Sequence, residues 1–527
     1  MSQQDNTGVW AQVHVGQSGS QPEKRNQQLI SGAHTHLLPR IRGFELTTGQ
    51  QVASMAEKAQ EMAKRHAMWR PHARSFLLTL PVLTVVTLLY VEPTTGPLAW
   101  FISVVWTWPM AANLLGVYGM YRTTSQLRKN RRYLKDAETF RCFDKLIVII
   151  PTIGRHDTYP ALERSVLSYV ASLPLCFPNM RIDVIIEEGC EARDRVFDLG
   201  RRSPFIRVVV VPKAYQTPNG TRFKARANHY SHEMRIAEGE ARDDVWVLHM
   251  DDDTGAALDT AVAMAQFIEK QRWAGDDAKH LAQGILTYPR ENAVNRLTWL
   301  ADAVRPSDDI GRFSALTGNG TPLLGMHGEL LLIRASIEAT IGWDFGPKAI
   351  VEDAQMALTF CQKYPGRSAW FQGRCYGASP ATVRDFIKQR ERWSWGLVAL
   401  AFNRTIPLRY RILMMYCVMS WVVGPIQNVF VVLWAGALLG DVNTTPVWIG
   451  LLPLWALNFA FTIWQYWEGL RINATVSKKG RRLWWEPIAV ILLIPVLSLM
   501  EGIGGFKGFL KYLRGEENKF VVIAKPA

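Results

Sequence analysis

Apolar residues crowd into two blocks of this chain, Phe76–Tyr121 and the stretch beyond Trp393, and the long middle between them carries a different pattern. Such a division rules out one uniform globular fold and predicts membrane helices on either side of a folded domain. In the first block Phe76–Val91 and Leu98–Tyr121 have only Glu92 between them. Each is close to the ~20 residues a bilayer requires, so two transmembrane helices are expected over 71–122. In the second block 394–410 reads as an interfacial helix and 411–508 as a C-terminal transmembrane region of three to five elements. There Arg411–Gly440 is interrupted by Gly424-Pro425, Val447–Leu470 is a clear span, and Pro487–Met500 is short before the glycine-rich Glu501–Gly508. The Gly-Pro pair and a re-entrant last run leave the parity open.

Residues 1–70 are rich in Gln, Ser, Gly and His without apolar periodicity and are expected to form a mobile tail, with a second tail at 509–527. The first apolar stretch starts only at Phe76, which argues against a signal peptide. Several Trp, among them Trp100, Trp108, Trp448 and Trp484, fall near span ends, where an indole suits the headgroup layer.

A net charge of +14 admits nucleic acid, anionic lipid or an anionic substrate. The distribution decides among them. Arg122, Arg128, Lys129, Arg131 and Arg132 follow one apolar segment, Arg404, Arg409 and Arg411 precede another, and Arg471, Lys478, Lys479, Arg481 and Arg482 lie between two more. That is the positive-inside pattern, and no nucleic-acid motif accompanies it. Membrane lipid is therefore an expected partner and nucleic acid is not. The folded domain and the C-terminus, with Lys507, Lys511, Arg514 and Lys519, are expected on the cytosolic side of a cell inner or plasma membrane. Six cysteines without a Cys-x-x-Cys spacing argue against a zinc site or a disulfide framework.

From 123 to 393 strand-like runs alternate with helical stretches. Leu146–Ile150, Ile182–Ile186, Val208–Val211 and Val245–Met250 read as buried strands, and Tyr159–Ser172 and Ala225–Glu240 as helices between them. Such alternation implies an α/β domain with a mostly parallel sheet and ligands at the carboxyl ends of the strands.

The acids fall at those ends. Val245–Met250 runs into Asp251-Asp252-Asp253, placing Asp251 and Asp253 where a strand breaks into a loop. Mg²⁺ or Mn²⁺ bridging a diphosphate takes only one or two protein carboxylates, so Asp251 and Asp253 suffice as metal ligands. Glu187 and Glu188 follow the second strand and can accept hydrogen bonds from a nucleotide base or ribose; a solvated acidic turn is the plain alternative. Lys224 and Arg226 open a helix, where side-chain charge and free backbone donors suit a phosphate. Glu352-Asp353 precedes another helical run. Attack by an acceptor hydroxyl needs a carboxylate within reach, but spacing alone does not separate that role from a pair of acids favouring a helix N-terminus.

Gln389, Arg392 and Trp393 stand at i, i+3 and i+4, on one helix face, directly ahead of the second apolar block. A fixed Arg neutralises charge growing on a diphosphate and an indole stacks on a sugar.

Taken in this order, these motifs resemble the processive-type family-2 glycosyltransferases, which include cellulose, chitin and hyaluronan synthases. A closer likeness is to the egghead-type β-1,4-mannosyltransferases. It rests on Tyr215–Thr221 with Lys224–Ala227, on Leu300-Ala301-Asp302 and Asp308-Asp309, on Gly342–Gly346, and on Ser379-Pro380 ahead of Asp385-Phe386. The resemblance covers roughly 145–396. It implies an α/β GT-A-type cytosolic domain embedded between transmembrane helices, a divalent metal, and inversion at the anomeric carbon of a UDP- or GDP-linked sugar. By position it makes Asp251 and Asp253 the metal and diphosphate motif and Asp353 the general base. Gln389, Arg392 and Trp393 become the box over the diphosphate and the acceptor terminus, with Arg392 acting in catalysis. Two departures stand out. Glu187-Glu188-Gly189 replaces the Asp-Asp-Gly of the wider family, and Ala378 lies where an acid is expected.

The expectation is an inverting membrane glycosyltransferase forming a β-linked glycan on a glycan or lipid-linked acceptor. A processive polysaccharide synthase is placed slightly ahead of single addition to a lipid-linked acceptor, because the spans abut the box. A transporter is disfavoured because the clear spans carry no charge beyond Glu468 near one end. A nucleotide-binding regulator without activity is the third reading, and release of nucleotide from a sugar donor separates it from an enzyme.

Overall fold

The computed structural model describes residues 71–90, 107–135, 140–438, 449–478 and 483–517, with a few positions between 54 and 104 and residues 444–445 besides. Nearly all of the expected tail 1–70, most of 91–106 in the expected second span, Lys479, Arg481, Arg482 and Lys519 lie outside the described residues.

Seven strands make the central sheet: β1 Lys145–Pro151, β2 Met180–Glu187, β3 Ile206–Val211, β4 Val245–His249, β5 Leu281–Thr287, β6 Leu331–Arg334 and β7 Ser368–Tyr376. Their spatial order is β3-β2-β1-β4-β6-β5-β7. β1 is a run of branched apolar residues buried at every position after Lys145, and all five residues of β4 are buried, as strands covered on both faces require. Helices Tyr159–Ser172 and Phe223–Ala237 provide crossovers between parallel strands. Four of the six pairings are parallel, while β6 runs antiparallel to both β4 and β5. The sheet is thus mixed, with helices packed around it.

The flanking helices depart from the expected boundaries. Helix Arg74–Tyr90, 17 residues long, covers the first expected span and exposes Leu77, Leu78, Val82, Leu88 and Leu89. The next helix, Ala112–Lys135, runs straight through the basic cluster at Arg122–Arg132, so no element ends at 122. Helix Val383–Ala401 contains the box and continues past it, so the expected interfacial helix at 394–410 is instead the end of this helix and a short link to Leu408. Leu408–Leu438 is one helix of 31 residues that passes through Gly424-Pro425.

Helix Leu452–Val476 takes the place of the expected span Val447–Leu470 and buries polar groups against the α/β domain. Asn473 Oδ1 accepts from the Tyr288 amide at 2.9 Å, and the Gln465 carbonyl accepts from Ser307 at 2.5 Å. Glu486–Leu513 replaces the expected short run plus glycine loop with 28 continuous helical residues. Its glycines are helical because they pack: a Cβ on Gly504 would meet the Arg390 Cβ at 2.4 Å, and one on Gly508 the Glu391 carbonyl at 2.3 Å. Among the described residues Glu486–Leu513 is the one helix long and apolar enough to cross a membrane, with mean hydropathy 2.1 over an 18-residue stretch.

Candidate active site

The carboxyl ends of β1, β2 and β4 deliver Thr152, Glu187 and Asp251–Asp253 to one cavity of about 780 Å³. Lys224, Glu352, Asp353, Gln389, Arg392 and Trp393 line the same cavity, so elements spread over the α/β domain and the box helix converge there. Arg226 and Glu188 are not among the lining residues. Arg226 ion-pairs with Glu187 and donates to the carbonyls of Pro212 at 2.8 Å and Tyr215 at 2.9 Å, while Glu188 accepts from the Lys213 amide at 2.8 Å. Both brace the loop after β3, which leaves Glu187 as the member of this group on the cavity wall.

Lys224 is the hub. It opens helix Phe223–Ala237, ion-pairs with Asp251, and lies 3.6 Å from Glu352. Phe223 ahead of it has φ 59°, a left-handed conformation that costs a non-glycine residue roughly 1–2 kcal/mol. A Cβ on Gly328 would lie 2.7 Å from Lys224 Nζ, 3.3 Å from Asp353 Oδ2 and 3.5 Å from Asp251 Oδ1. Those three groups therefore meet around one bare backbone position. Burial works against charge on Lys224, but Asp251, Glu352 and Asp353 outweigh it and hold its pKa above the usual lysine value. Burial raises the Glu352 and Asp353 carboxyls above the ordinary range, and Lys224 offsets part of that rise in both. Asp353 heads helix Glu352–Lys363, where its Oδ1 accepts from the Ala354 amide at 2.8 Å.

The acid triplet is held from behind. Asp252 Oδ2 accepts from Thr152 Oγ1 at 2.6 Å, fastening the end of β4 to the end of β1. Two residues before Asp251, His249 bonds through Nε2 to Glu338 at 2.7 Å. Glu338 also accepts from Trp343 Nε1 at 2.7 Å and from Arg235 at 2.8 Å. Burial opposes the Glu338 charge, yet Arg235 and His249 hold its pKa well below the usual range, and burial lowers that of His249. Asp251 and Asp253, the pair expected from sequence to hold Mg²⁺ or Mn²⁺, both line the cavity. Among the described residues no group of three or more His, Cys, Asp or Glu is arranged to hold a metal, so the remaining ligands would have to be substrate oxygens and water.

Within the box the buried arginine is Arg390. It is fully buried and pairs with Asp302 at 2.5 Å and Glu501 at 2.8 Å, and it donates to Gln389 Oε1 at 2.7 Å. Its guanidinium lies 4.4 Å from the Trp393 ring centroid, and that of Arg305 lies 4.3 Å from it. The π system of Trp393 is therefore already engaged by two cations. Arg305, Asp309, His327, Gly328 and Glu501 were not given site roles from sequence. Asp302 and Asp309 lay within the motifs of the resemblance, whereas nothing local marks the others, which reach the site only through tertiary packing. The cavity continues beyond the box between Leu397, Met414, Trp421, Phe459, Tyr466 and Ile494.

Residues 246–464 match the family model described as glycosyl transferase family group 2. The β-1,4-mannosyltransferase egh of Drosophila melanogaster is 29% identical over 332 residues, covering 61% of this chain and 66% of that protein. The β-1,4-mannosyltransferase bre-3 of Caenorhabditis briggsae is 30% identical over 235 residues, covering 44% and 49%. The match thus spans about half to two thirds of the length of these relatives. Among solved structures, the mannosyltransferase PcManGT from Pyrobaculum calidifontis in complex with GDP-Man and Mn²⁺ covers 78% of this chain and 100% of that one. Its identity is 14% and its TM-score 0.43. Over residues 246–464, then, the chain is similar to family group 2 glycosyltransferases, and over stretches of 235 to 332 residues to β-1,4-mannosyltransferases.

Proposed function

We propose that this chain is a membrane-associated, inverting GT-A-type glycosyltransferase that adds a single β-linked sugar, mannose first among the candidates, from a nucleotide sugar to a lipid-linked or glycan acceptor. The processive synthase placed ahead in the sequence reading gives way to single addition, because the relatives are mannosyltransferases. The observation that carries the proposal is the convergence of Lys224, Asp251 and Asp353 around Gly328 in the cavity that also holds Gln389, Arg392 and Trp393.

Asp353 takes the proton of the acceptor hydroxyl as its oxygen bonds to the anomeric carbon and the bond from that carbon to the diphosphate breaks. Arg392 steadies the departing diphosphate, and Lys224 supplies a second positive charge in the same cavity. Glu187 is left to meet the nucleotide. A divalent ion held by Asp251 and Asp253 would neutralise diphosphate charge. The cavity beyond the box, apolar where Leu397, Met414, Phe459 and Ile494 line it, suits an acceptor with a lipid tail. The exposed apolar helices at Arg74–Tyr90 and Glu486–Leu513 support a membrane setting, and the basic residues flanking the apolar segments favour a cytosolic side for the α/β domain.

The test is incubation of purified protein with a panel of nucleotide sugars, Mg²⁺ or Mn²⁺, and octyl glycosides as acceptors, followed by mass analysis. The expected product carries one added hexose at every donor concentration. Long chains beside unused acceptor would restore the synthase reading, and no transfer from any donor would end the proposal.

A further inference from the structure

Next to Asp353 the cavity wall holds a histidine that the mechanism above leaves without a task. His327 immediately precedes Gly328, the position around which Lys224, Asp251 and Asp353 meet, and it lines the same cavity. Its ring is fixed on two sides. Nε2 lies 2.7 Å from Asp309 Oδ1, and the ring packs on Phe313 at 4.5 Å between centroids. The main chain is fixed as well, with the His327 amide donating to Gln283 Oε1 at 2.9 Å.

Asp309 is built for this one duty. It is fully buried at the start of a π-helical turn, Asp309–Phe313, and its second oxygen accepts from the Leu286 amide at 2.8 Å. Single π turns inside helices are rare and frequent at functional sites. Burial works against charge on His327, but Asp309 outweighs it and holds its pKa above the usual imidazole value, so Nε2 donates to Asp309 while Nδ1 is left to meet a hydroxyl, a group that both donates and accepts.

Resting on the transferase reading, the structure assigns His327, oriented by Asp309, as the residue that binds a second acceptor hydroxyl, one adjacent to the hydroxyl that Asp353 deprotonates. The proton of the reacting hydroxyl goes to Asp353, so Nδ1 of His327 is left to hydrogen-bond the hydroxyl beside it. The implied acceptor class is a sugar with vicinal hydroxyls rather than a simple alcohol. The selectivity lies in leaving Nδ1 unpaired when that second hydroxyl is missing.

The experiment uses the full-length protein, the octyl hexoside that accepts best, and its deoxy analogues lacking the hydroxyl on either side of the one attacked. Removal of one particular neighbouring hydroxyl is expected to raise the acceptor KM of the unsubstituted protein about tenfold, the loss of one hydrogen bond. His327→Phe is expected to raise the acceptor KM for the parent hexoside by a similar factor, without a matching rise in donor KM, and to become indifferent to the deoxy change. His327→Gln, which keeps a polar end group, should recover part of the discrimination, and Asp309→Asn should weaken it in the same parameter. Equal sensitivity of His327→Phe and the unsubstituted protein to both deoxy analogues would overturn the assignment, as would donor and acceptor KM rising together. If His327→Phe fails to fold, His327→Ala carries the same comparison. Absence of transfer by the unsubstituted protein would remove the transferase reading itself, a result distinct from transfer without discrimination.

Discussion

Replacing Arg390 with Met tests whether the box owes its geometry to a buried ion cluster. Arg390 is fully buried, the Asp302 side chain is 2% exposed and that of Glu501 18%, so Met at 390 leaves one buried carboxylate and one at the cavity wall without their cation. Breaking a buried pair from one side costs about 3–5 kcal/mol. Loss of the cation–π contacts to Phe386 at 4.1 Å and Trp393 at 4.4 Å acts in the same direction, though such terms do not simply add. At roughly 2 °C per kcal/mol for a domain of this size, Arg390→Met should melt about 6–10 °C lower than the unsubstituted protein. It should also lose activity well below that temperature, since Gln389 and Trp393 both lose a partner. The combination Arg390→Met, Asp302→Asn, Glu501→Gln leaves no unpaired charge and should regain most of the melting loss while activity stays low. Melting of the single variant within about 1 °C of the parent, with full activity, would refute the reasoning.

Asp353→Asn should reduce transfer by roughly 10²–10⁴-fold with nucleotide binding retained, as measured by product mass and nucleotide titration, because the base acts on the acceptor. Either Asp251→Asn or Asp253→Asn should reduce turnover about a hundredfold and chelator should do the same, whereas full activity in chelator would remove the metal. The raised pKa values of Glu352 and Asp353 work in opposite directions on rate and on stability. Transfer should rise with pH through the raised value of the base. Stability should fall over the window from the ordinary carboxylate value upward, because the folded state keeps protons that the unfolded chain has released, and Glu352→Gln should flatten that fall in melting curves taken against pH. Finally, a cysteine placed at Lys478 should resist an impermeant label in intact cells, and labelling there would reverse the proposed topology.

The left half of the sheet and the acids on it were legible because β1, β2, β3 and β4 each contain a short run rich in apolar residues, and β2 and β4 lead into acids. β6 was not legible: Leu331–Arg334 is four residues long, too short to show a period, and its antiparallel course is set by neighbours on both sides. β5 hides behind Gln283 and Gly284 in its middle. Asp353 and the box could be found in sequence because acids and a Gln-x-x-Arg-Trp spacing are local signals. The partners that fix them, Asp302 and Glu501 on Arg390 and Asp309 on His327, are 88, 111 and 18 residues away and could not be paired by inspection. The last apolar run was misjudged for a related reason. Glycines that look like a helix breaker in isolation are helical where a neighbouring helix leaves no room for a Cβ.

That glycine seam also ties the reaction to the thickness of its surroundings. Gly504 and Gly508 bring Glu486–Leu513 against the backbone of the box helix, and Glu501 and Gly505 fasten the two through Arg390 and the Ser394 hydroxyl. Two helices in such contact cannot slide along each other in small steps, so they move as one body. If the apolar helix is seated in a bilayer, its depth is set by the match between its hydrophobic length and the lipid. The height of Arg392 and Trp393 above Asp251 then becomes a property of the membrane as much as of the protein, and lipids of different chain length act as a dial on the rate.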